Sequence, residues 1–148
     1  MKTIYEKSRP LVLLLILAAA LMLLAGCGGG EKTAEPIPAA TNEERMAYLS
    51  ALGWQVNPEP LHTLVLRLPG ELAADYADYV KLQEEQDLPF AQCAGKTISR
   101  YTYTVRNYPD CEGPVQINLC VCDGVLVGGD LIAPGEDGFM AGLAFPKT

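Results

Sequence analysis

The sequence predicts an α+β domain in which two helices pack on one face of a small, mainly antiparallel sheet that ends in a three-stranded meander. Two stretches, 42–52 and 71–86, place apolar residues at helical spacing. Three further stretches alternate apolar and polar residues as half-buried strands do: 62–68, 97–106 and 115–122. Asp123-Gly124 then follows the last of these strands, and this dipeptide is the strongest short signal for a β-hairpin.

Both helices carry signals that place their ends. Thr41 and Glu44 have the spacing of a capping box, in which each side chain bonds the backbone N–H of the other, and Gly53 is a suitable stop. Glu71 and Asp75 lie in the first turn of the second helix, where negative charge is favourable. The predicted inward stripes are Met46, Leu49 and Leu52 in the first helix, and Leu72, Tyr76, Tyr79, Val80 and Gln83 in the second.

The strands are defined by their period of two. In the first strand Leu64, Leu66 and Leu68 form one predicted buried face. Pairing of 97–106 with 115–122 around the loop 107–114 would set Arg106 opposite Val115. A type I′ turn leads into a strand over 125–131, in which two consecutive glycines indicate a bulge or a close approach. The remaining chain, up to residue 148, is expected to cover a sheet face without regular structure.

The N-terminus has the three parts of a secretory signal. A start with Lys2, Lys7 and Arg9 precedes an apolar run over residues 11–25, which is short for a bilayer span of about 20 residues. The run closes on Leu24-Ala25-Gly26-Cys27, which resembles the lipobox of bacterial lipoproteins at every position. This resemblance implies cleavage after residue 26 and acylation of Cys27. The alternative is an uncleaved transmembrane anchor in which Cys27 is an ordinary thiol.

Either anchor places the rest of the chain on the outer face of the cytoplasmic membrane. Residues 27–40 are rich in glycine, proline and small residues, and we interpret them as a lipidated tether for a single domain over 41–148. Without residues 1–26 the chain keeps eight lysines and arginines against 17 aspartates and glutamates, a net side-chain charge of −9. That balance argues against nucleic-acid binding and leaves membrane attachment to the lipid.

Several motifs in order resemble the uncharacterised domain family DUF4830. They are Asn42-Glu43-Glu44-Arg45, the stretch 49–56, the stretch 94–103, Asn107-Tyr108-Pro109, Asp123-Gly124, Gly128-Gly129-Asp130 and Asp137-Gly138-Phe139-Met140. The resemblance covers about residues 42–143 and implies a single extracytoplasmic domain, with no assigned reaction. Cys120 and Cys122 depart from the aliphatic and aromatic residues expected before the turn, so chemistry at these two positions would be peculiar to this chain.

Four cysteines besides Cys27 could bind a metal ion, form a disulfide or pack as apolar residues. Their spacing lacks the paired ligands of a zinc site, so we predict no metal. Export permits a disulfide, and the predicted pairing brings Cys93 near Cys122 or Cys120 while Cys111 stays free at the far end of the strands. The alternative is that the strand cysteines pack as small apolar residues.

The sequence offers three further candidates for a functional site, and each is better explained as an ordinary structural or surface feature. Gly95-Lys96-Thr97 resembles the end of a phosphate-binding loop, but Phe90 replaces its first glycine and a strand follows, so no cofactor is predicted. His62 is the single histidine and stands without a nucleophile motif. The late acids are expected to be solvated loop residues, and they are Asp123, Asp130, Glu136 and Asp137.

One strand could supply a recognition surface, because arginine and aromatic side chains are favoured at binding sites. Its members would be Arg100, Tyr101, Tyr103 and Arg106, unless the tyrosines line the core and the arginines extend along the surface. We therefore expect a non-enzymatic module that binds a cell-envelope protein or a small ligand. The alternative is a small cell-envelope hydrolase, which would need a pocket where acids or His62 converge.

Overall fold

The computed structural model describes residues 34–109, 113–135 and 138–147, and residues from 35 onward form one compact unit. The predicted signal segment and Cys27 lie outside the described residues. No helix within the described ranges has the length and apolar character to cross a membrane. The elements in chain order are α1 (Asn42–Ala51), β1 (His62–Arg67), a 3₁₀ helix (Ala74–Tyr76), α2 (Ala77–Glu84), a second 3₁₀ helix (Phe90–Cys93), β2 (Thr97–Thr104), β3 (Gln116–Cys122), β4 (Val125–Ala133) and β5 (Phe139–Ala141).

All five strands form one antiparallel sheet whose spatial order follows the chain, β1-β2-β3-β4-β5. The α+β class and the C-terminal meander are confirmed. β5 replaces part of the chain for which no regular structure was predicted. Its three residues are too few to show an alternating pattern, and they become a strand because β4 extends to Ala133 and offers an unpaired edge.

The two helices pack on opposite faces of the sheet, so the prediction that they share one face is wrong. Leu49 of α1 belongs to the apolar cluster built on odd-numbered strand residues such as Tyr103 and Leu119. Tyr79 of α2 packs on the cluster built on even-numbered residues such as Cys120. Successive residues of a strand point to opposite faces. β3 is buried along nearly its whole length, and only cover on both faces can achieve this.

Of two predictions about helix ends, the cap of α1 is confirmed and the start of the second helix is wrong. The capping box of α1 is confirmed, since Glu44 N donates to Thr41 Oγ1 over 3.2 Å and Thr41 N donates to a Glu44 carboxylate oxygen over 2.9 Å. The second helix was predicted over 71–86, but its α-helical part begins at Ala77 after a 3₁₀ turn. Ala73 has extended backbone, with ψ of −179°, and no side chain caps the segment that follows.

The folded unit begins before Thr41, so the predicted boundary between tether and domain is too late. Ala39 is 1 % exposed, and its N–H donates to the Gly124 carbonyl over 2.9 Å. Leu126 N donates in turn to the Ile37 carbonyl over 2.9 Å. The segment from Ile37 therefore runs beside the start of β4. It is too short to show a strand pattern in the sequence.

The register of β2 on β3 differs by one residue from the prediction. Arg100 lies opposite Cys120 and Tyr101 opposite Leu119, and Val105 N donates to the Val115 carbonyl over 2.9 Å. The predicted register would have set Tyr101 against Cys120. That pairing would join side chains from opposite faces of the sheet, and the hydrophobic pattern forbids such a slip.

The hairpin between β3 and β4 follows the sequence prediction. Asp123 and Gly124 both have positive φ, 51° and 79°, as a type I′ turn requires. The β3–β4 register shifts between Cys120 and Val121, which confirms the predicted irregularity. Gly129 is needed for close approach, because a Cβ there would lie 2.5 Å from the Leu143 side chain.

Candidate functional site

The face of the sheet that carries α2 is only partly covered, and the uncovered part is a groove of about 730 Å³. We call it the sheet groove. Its floor runs across the strands and includes Leu64, Arg100, Thr102, Asn118, Asp130 and Ile132. Tyr76, Tyr79 and Phe90, from the helical segments, form a wall at one end. A volume of this size is in the range that small-molecule sites occupy.

A row of polar side chains crosses the floor of the sheet groove. His62 pairs with Thr102, Thr102 with Asn118, and Asn118 with Asp130, so all four residues share one face. Thr102 Oγ1 donates to Asn118 Oδ1 over 2.7 Å, and Asn118 Nδ2 donates to Asp130 Oδ2 over 2.8 Å. We call these four residues the polar row. Its last three members are at most 5 % exposed, whereas His62 is exposed on the edge strand.

Asp130 is the charged end of the polar row. Burial raises the pKa of its carboxyl, and this is opposed by hydrogen bonds from Asn118 and Tyr79 and by the nearby charge of Arg100. Tyr79 donates its hydroxyl to Asp130 Oδ1 over 2.9 Å. Burial, followed by the neighbouring Cys120 and Asp130, raises the pKa of Tyr79 far above its ordinary value, so the hydroxyl keeps its proton. The expectation that Asp130 is a solvated loop acid is wrong, since it is a buried strand residue. Its face could have been found from the alternation of β4.

Cys120 lies beside this network as a protonated thiol. Its Sγ is 3.7 Å from the Tyr79 hydroxyl. Burial raises the pKa of the thiol to about 11, although the contact with the Tyr79 hydroxyl lowers it. Reactive cysteines have a lowered pKa instead. His62 belongs to a different row of the floor, since the β1 residue in the row of Cys120 is Leu64, which lies opposite Arg100. The arrangement therefore does not activate Cys120 as a nucleophile.

Arg100 is the exposed cation of the sheet groove. It lies on β2 between Leu64 and Cys120. No hydrogen bond or ion pair engages its guanidinium within the described part of the chain. Its neighbour Leu64 is 46 % exposed, and Met140, at the other end of the groove, is 58 % exposed. The prediction that Leu64 belongs to a buried face is therefore wrong, because α2 does not extend over β1.

The predicted recognition surface does not form as one patch. Tyr103 is fully buried on the opposite face, where its hydroxyl accepts from Arg45 Nε over 2.8 Å. The Arg45 guanidinium also lies 3.6 Å above the ring of Tyr101, which is half-buried. Arg106 is exposed beyond the end of β2. Of the four predicted residues, Arg100 alone lines the sheet groove, while Thr102, Asn118 and Tyr79 were not singled out from the sequence.

Of the described cysteines, Cys120 lies in the floor of the sheet groove, and Cys93 and Cys122 lie in the apolar cluster behind its wall. Cys93, Cys120 and Cys122 are buried free thiols, and Cys111 lies outside the described residues. Cys93 and Cys122 belong to the same apolar cluster, and burial, followed by the neighbouring Cys122, raises the pKa of the Cys93 thiol. No cluster of three His, Cys, Asp or Glu side chains suited to a metal ion occurs within the described ranges.

Comparisons with known proteins find no similarity for this chain. No protein-family model matches it, and no curated protein and no solved structure is significantly similar to it.

Proposed function

We propose that this chain is a lipid-anchored, extracytoplasmic binding protein and that the sheet groove is its ligand site. The groove carries this proposal, because an open apolar cleft with a few convergent polar groups is the usual form of a binding site. The lipobox at Leu24-Ala25-Gly26-Cys27 supports the location, and the resemblance to DUF4830 supports a single exported domain.

The lining of the sheet groove indicates what a ligand must present. Leu64 and Met140 offer exposed apolar surface at its two ends. Arg100 lies between them, and no hydrogen bond within the described ranges uses its N–H donors. A suitable ligand has an apolar body that covers Leu64 and Met140. It also has an acceptor group, either a carboxylate or an amide carbonyl, that accepts hydrogen bonds from Arg100. Guanidinium groups bind such acceptors through charge-assisted hydrogen bonds.

The polar row supports a binding role because it is costly to build for stability alone. A buried polar network contributes stability only when every member is satisfied, and apolar residues of similar size would often be as stable. Thr102, Asn118 and Asp130 are satisfied by one another and by Tyr79. Such departures from a simple apolar face are expected at functional sites.

A small hydrolase is the second candidate, and the raised pKa of Asp130 favours it. Carboxyls with perturbed pKa values in clefts are common at catalytic sites. Against it, Asp130 is 3 % exposed and is bonded to both Asn118 and Tyr79. An Asp130→Asn variant tested on peptide, ester and glycoside substrates separates the two candidates. Any hydrolysis by the wild type that this variant loses would favour the enzyme.

Crosslinking in living cells tests the groove directly. A photo-crosslinking amino acid replaces Leu64 in one strain and Val65 in another. The two residues are neighbours on β1, both are exposed, and they point to opposite faces. We expect a specific adduct from position 64 and none from position 65. The same adduct from both positions, or none from either, would contradict the assignment of the site.

Two arginine variants refine this experiment. Arg100→Gln removes the exposed cation of the sheet groove, and Arg106→Gln removes another exposed charge outside it. We expect only the first to reduce the adduct at position 64. The membrane anchor is tested separately with Cys27→Ala, which should abolish acyl labelling and release the protein from membranes. Equal membrane retention of both proteins, with no label on the wild type, would refute the anchor and leave the groove untouched.

A further inference from the structure

Two buried thiols lie together behind the wall of the sheet groove. Cys93 ends the second 3₁₀ helix and is 3 % exposed, while Cys122 ends β3 and is 5 % exposed. Both belong to the apolar cluster beneath α2, and Lys96 N, three residues after Cys93, donates to the Cys93 carbonyl over 2.9 Å. Cys122 Sγ is also 3.7 Å from the carbonyl of Thr97, where β2 begins. The ends of the 3₁₀ helix, β2 and β3 therefore meet at this point.

The structure distinguishes Cys122 from the other strand cysteine. Cys120 Sγ is directed to the Tyr79 hydroxyl, and Cys120 lies opposite Arg100 and Gly128. Cys120 and Cys122 are two residues apart on one strand, so their Cα atoms are separated by about 6.6 Å, near the upper limit for a disulfide. Among the described cysteines, Cys93 therefore has Cys122 as its one suitable partner.

We propose that Cys93 and Cys122 form a disulfide during folding, which ties the wall of the sheet groove to its floor. Phe90 lies in the same 3₁₀ helix as Cys93 and lines the groove. β3 supplies Asn118 and Cys120 to the floor. A bond between positions 93 and 122 would hold Phe90 at a fixed height above these residues.

The reaction is a thiol–disulfide exchange with a small disulfide such as oxidised glutathione. One cysteine thiolate attacks the glutathione disulfide and releases the first glutathione. The second cysteine thiolate then attacks the mixed disulfide and releases the other. Two electrons pass from the cysteine sulfurs to the glutathione sulfurs, and the two cysteine protons end on the two released glutathione thiols.

Burial limits when this exchange can occur. Desolvation, followed by the neighbouring Cys122, raises the pKa of Cys93 to about 12. The thiolate is the attacking species in exchange, and a buried protonated thiol supplies very little of it. The bond must therefore form before the chain closes around the two sulfurs, and the finished bond is shielded from reductants in the same way.

Refolding of the full chain in detergent tests the proposal without depending on export or on the groove. The protein is reduced and denatured, refolded with a mixture of reduced and oxidised glutathione, denatured again and labelled with a maleimide. Mass spectrometry counts the labels. We expect two fewer labels than in the fully reduced control for the wild type and for Cys120→Ala, and no such loss for Cys93→Ala or Cys122→Ala. The folded, reduced protein in the same mixture should keep all its thiols.

Three results would overturn the proposal. They are full labelling of the refolded wild type, loss of two labels in Cys122→Ala, and rapid oxidation of the folded, reduced protein. Should a variant fail to fold, the tryptic peptides of the refolded wild type decide the question. Fragment ions on either side of Val121 show whether the bridged sulfur belongs to position 120 or 122, and a bridge to Cys111 would also refute the pairing.

Discussion

Replacing Asp130 with alanine should destabilise the domain, because the carboxylate accepts hydrogen bonds from buried Asn118 and partly buried Tyr79. Asn118 Nδ2 and the Tyr79 hydroxyl donate to its two oxygens over 2.8 and 2.9 Å. A buried donor left without an acceptor costs about 1–3 kcal/mol. Asn118 loses its acceptor outright, whereas the Tyr79 hydroxyl can turn to the Cys120 sulfur, so we expect a loss of about 1–3 kcal/mol. At about 4 °C per kcal/mol for a domain of this size, Tm should fall by roughly 4–12 °C.

Asparagine at position 130 is the matched control. Its amide oxygen can still accept from Asn118, and its amide nitrogen can donate to the Tyr79 oxygen. The Tyr79 hydroxyl can then turn to the Cys120 sulfur, 3.7 Å away. We expect Asp130→Asn to stay within about 1 kcal/mol of the wild type. Urea unfolding followed by the fluorescence of Trp54, the only tryptophan, measures both variants. Equal losses for alanine and asparagine would show that the charge, and not the hydrogen-bond network, stabilises this site.

The same pair of proteins gives a pH dependence with a definite sign. The pKa of Asp130 is raised in the folded state, so folding favours the protonated form. The contribution of this carboxyl to the free energy of unfolding is at its maximum below the ordinary pKa of 3.8. It is lost as the pH rises through the pKa that Asp130 has in the folded protein. The stability of Asp130→Asn minus that of the wild type should therefore increase from acid pH and then level off. A difference that decreases instead would mean that Arg100 and the hydrogen bonds outweigh burial.

Three further changes test other parts of the fold. The bridge between Cys93 and Cys122 closes a loop of about 30 residues, so the oxidised protein should be about 3.6 kcal/mol more stable than the reduced one in urea. Gly129→Ala places a methyl group against Leu143 and should cost about 1–3 kcal/mol, and no loss would mean that this contact is loose. Thr41→Ala removes the cap of α1 and should cost about 1 kcal/mol in thermal unfolding, and an unchanged Tm would show that the cap is replaced by water.

Local features of the fold could be predicted because a few neighbouring residues determine them. Thr41 and Glu44 form the capping box through contacts three residues apart. Asp123 and Gly124 form the hairpin turn because an aspartate and a glycine accept positive φ. The alternation of β2 and β3 also follows directly from the sequence, since side-chain direction in a strand depends only on position.

Features that depend on distant contacts could not be predicted in the same way. The stripe of α2 shows which residues face inward but not which sheet face they meet. The cysteines of β3 gave the relevant signal, because an apolar strand with Cys120 and Cys122 on its second face needs cover on both sides. Asp130 was expected to be a solvated loop acid although it falls within the predicted strand 125–131, and its role depends on Asn118 and Tyr79, which are 12 and 51 residues away in the sequence.

The sheet groove exists because α2 is too short to cover the face on which it lies. Eight residues of helix are about 12 Å long and about 10–12 Å across with side chains, so in any orientation α2 covers only part of five strands that span roughly 19 Å at about 4.8 Å each. Leu64 on β1 and Met140 on β5 are therefore left exposed at the two ends of an open band. The polar row lies in the middle of this band, where a longer helix would instead have required apolar residues. Exposed apolar ends with a satisfied polar centre are the composition expected of a surface that a ligand covers, and this makes the sheet groove the place to look for one.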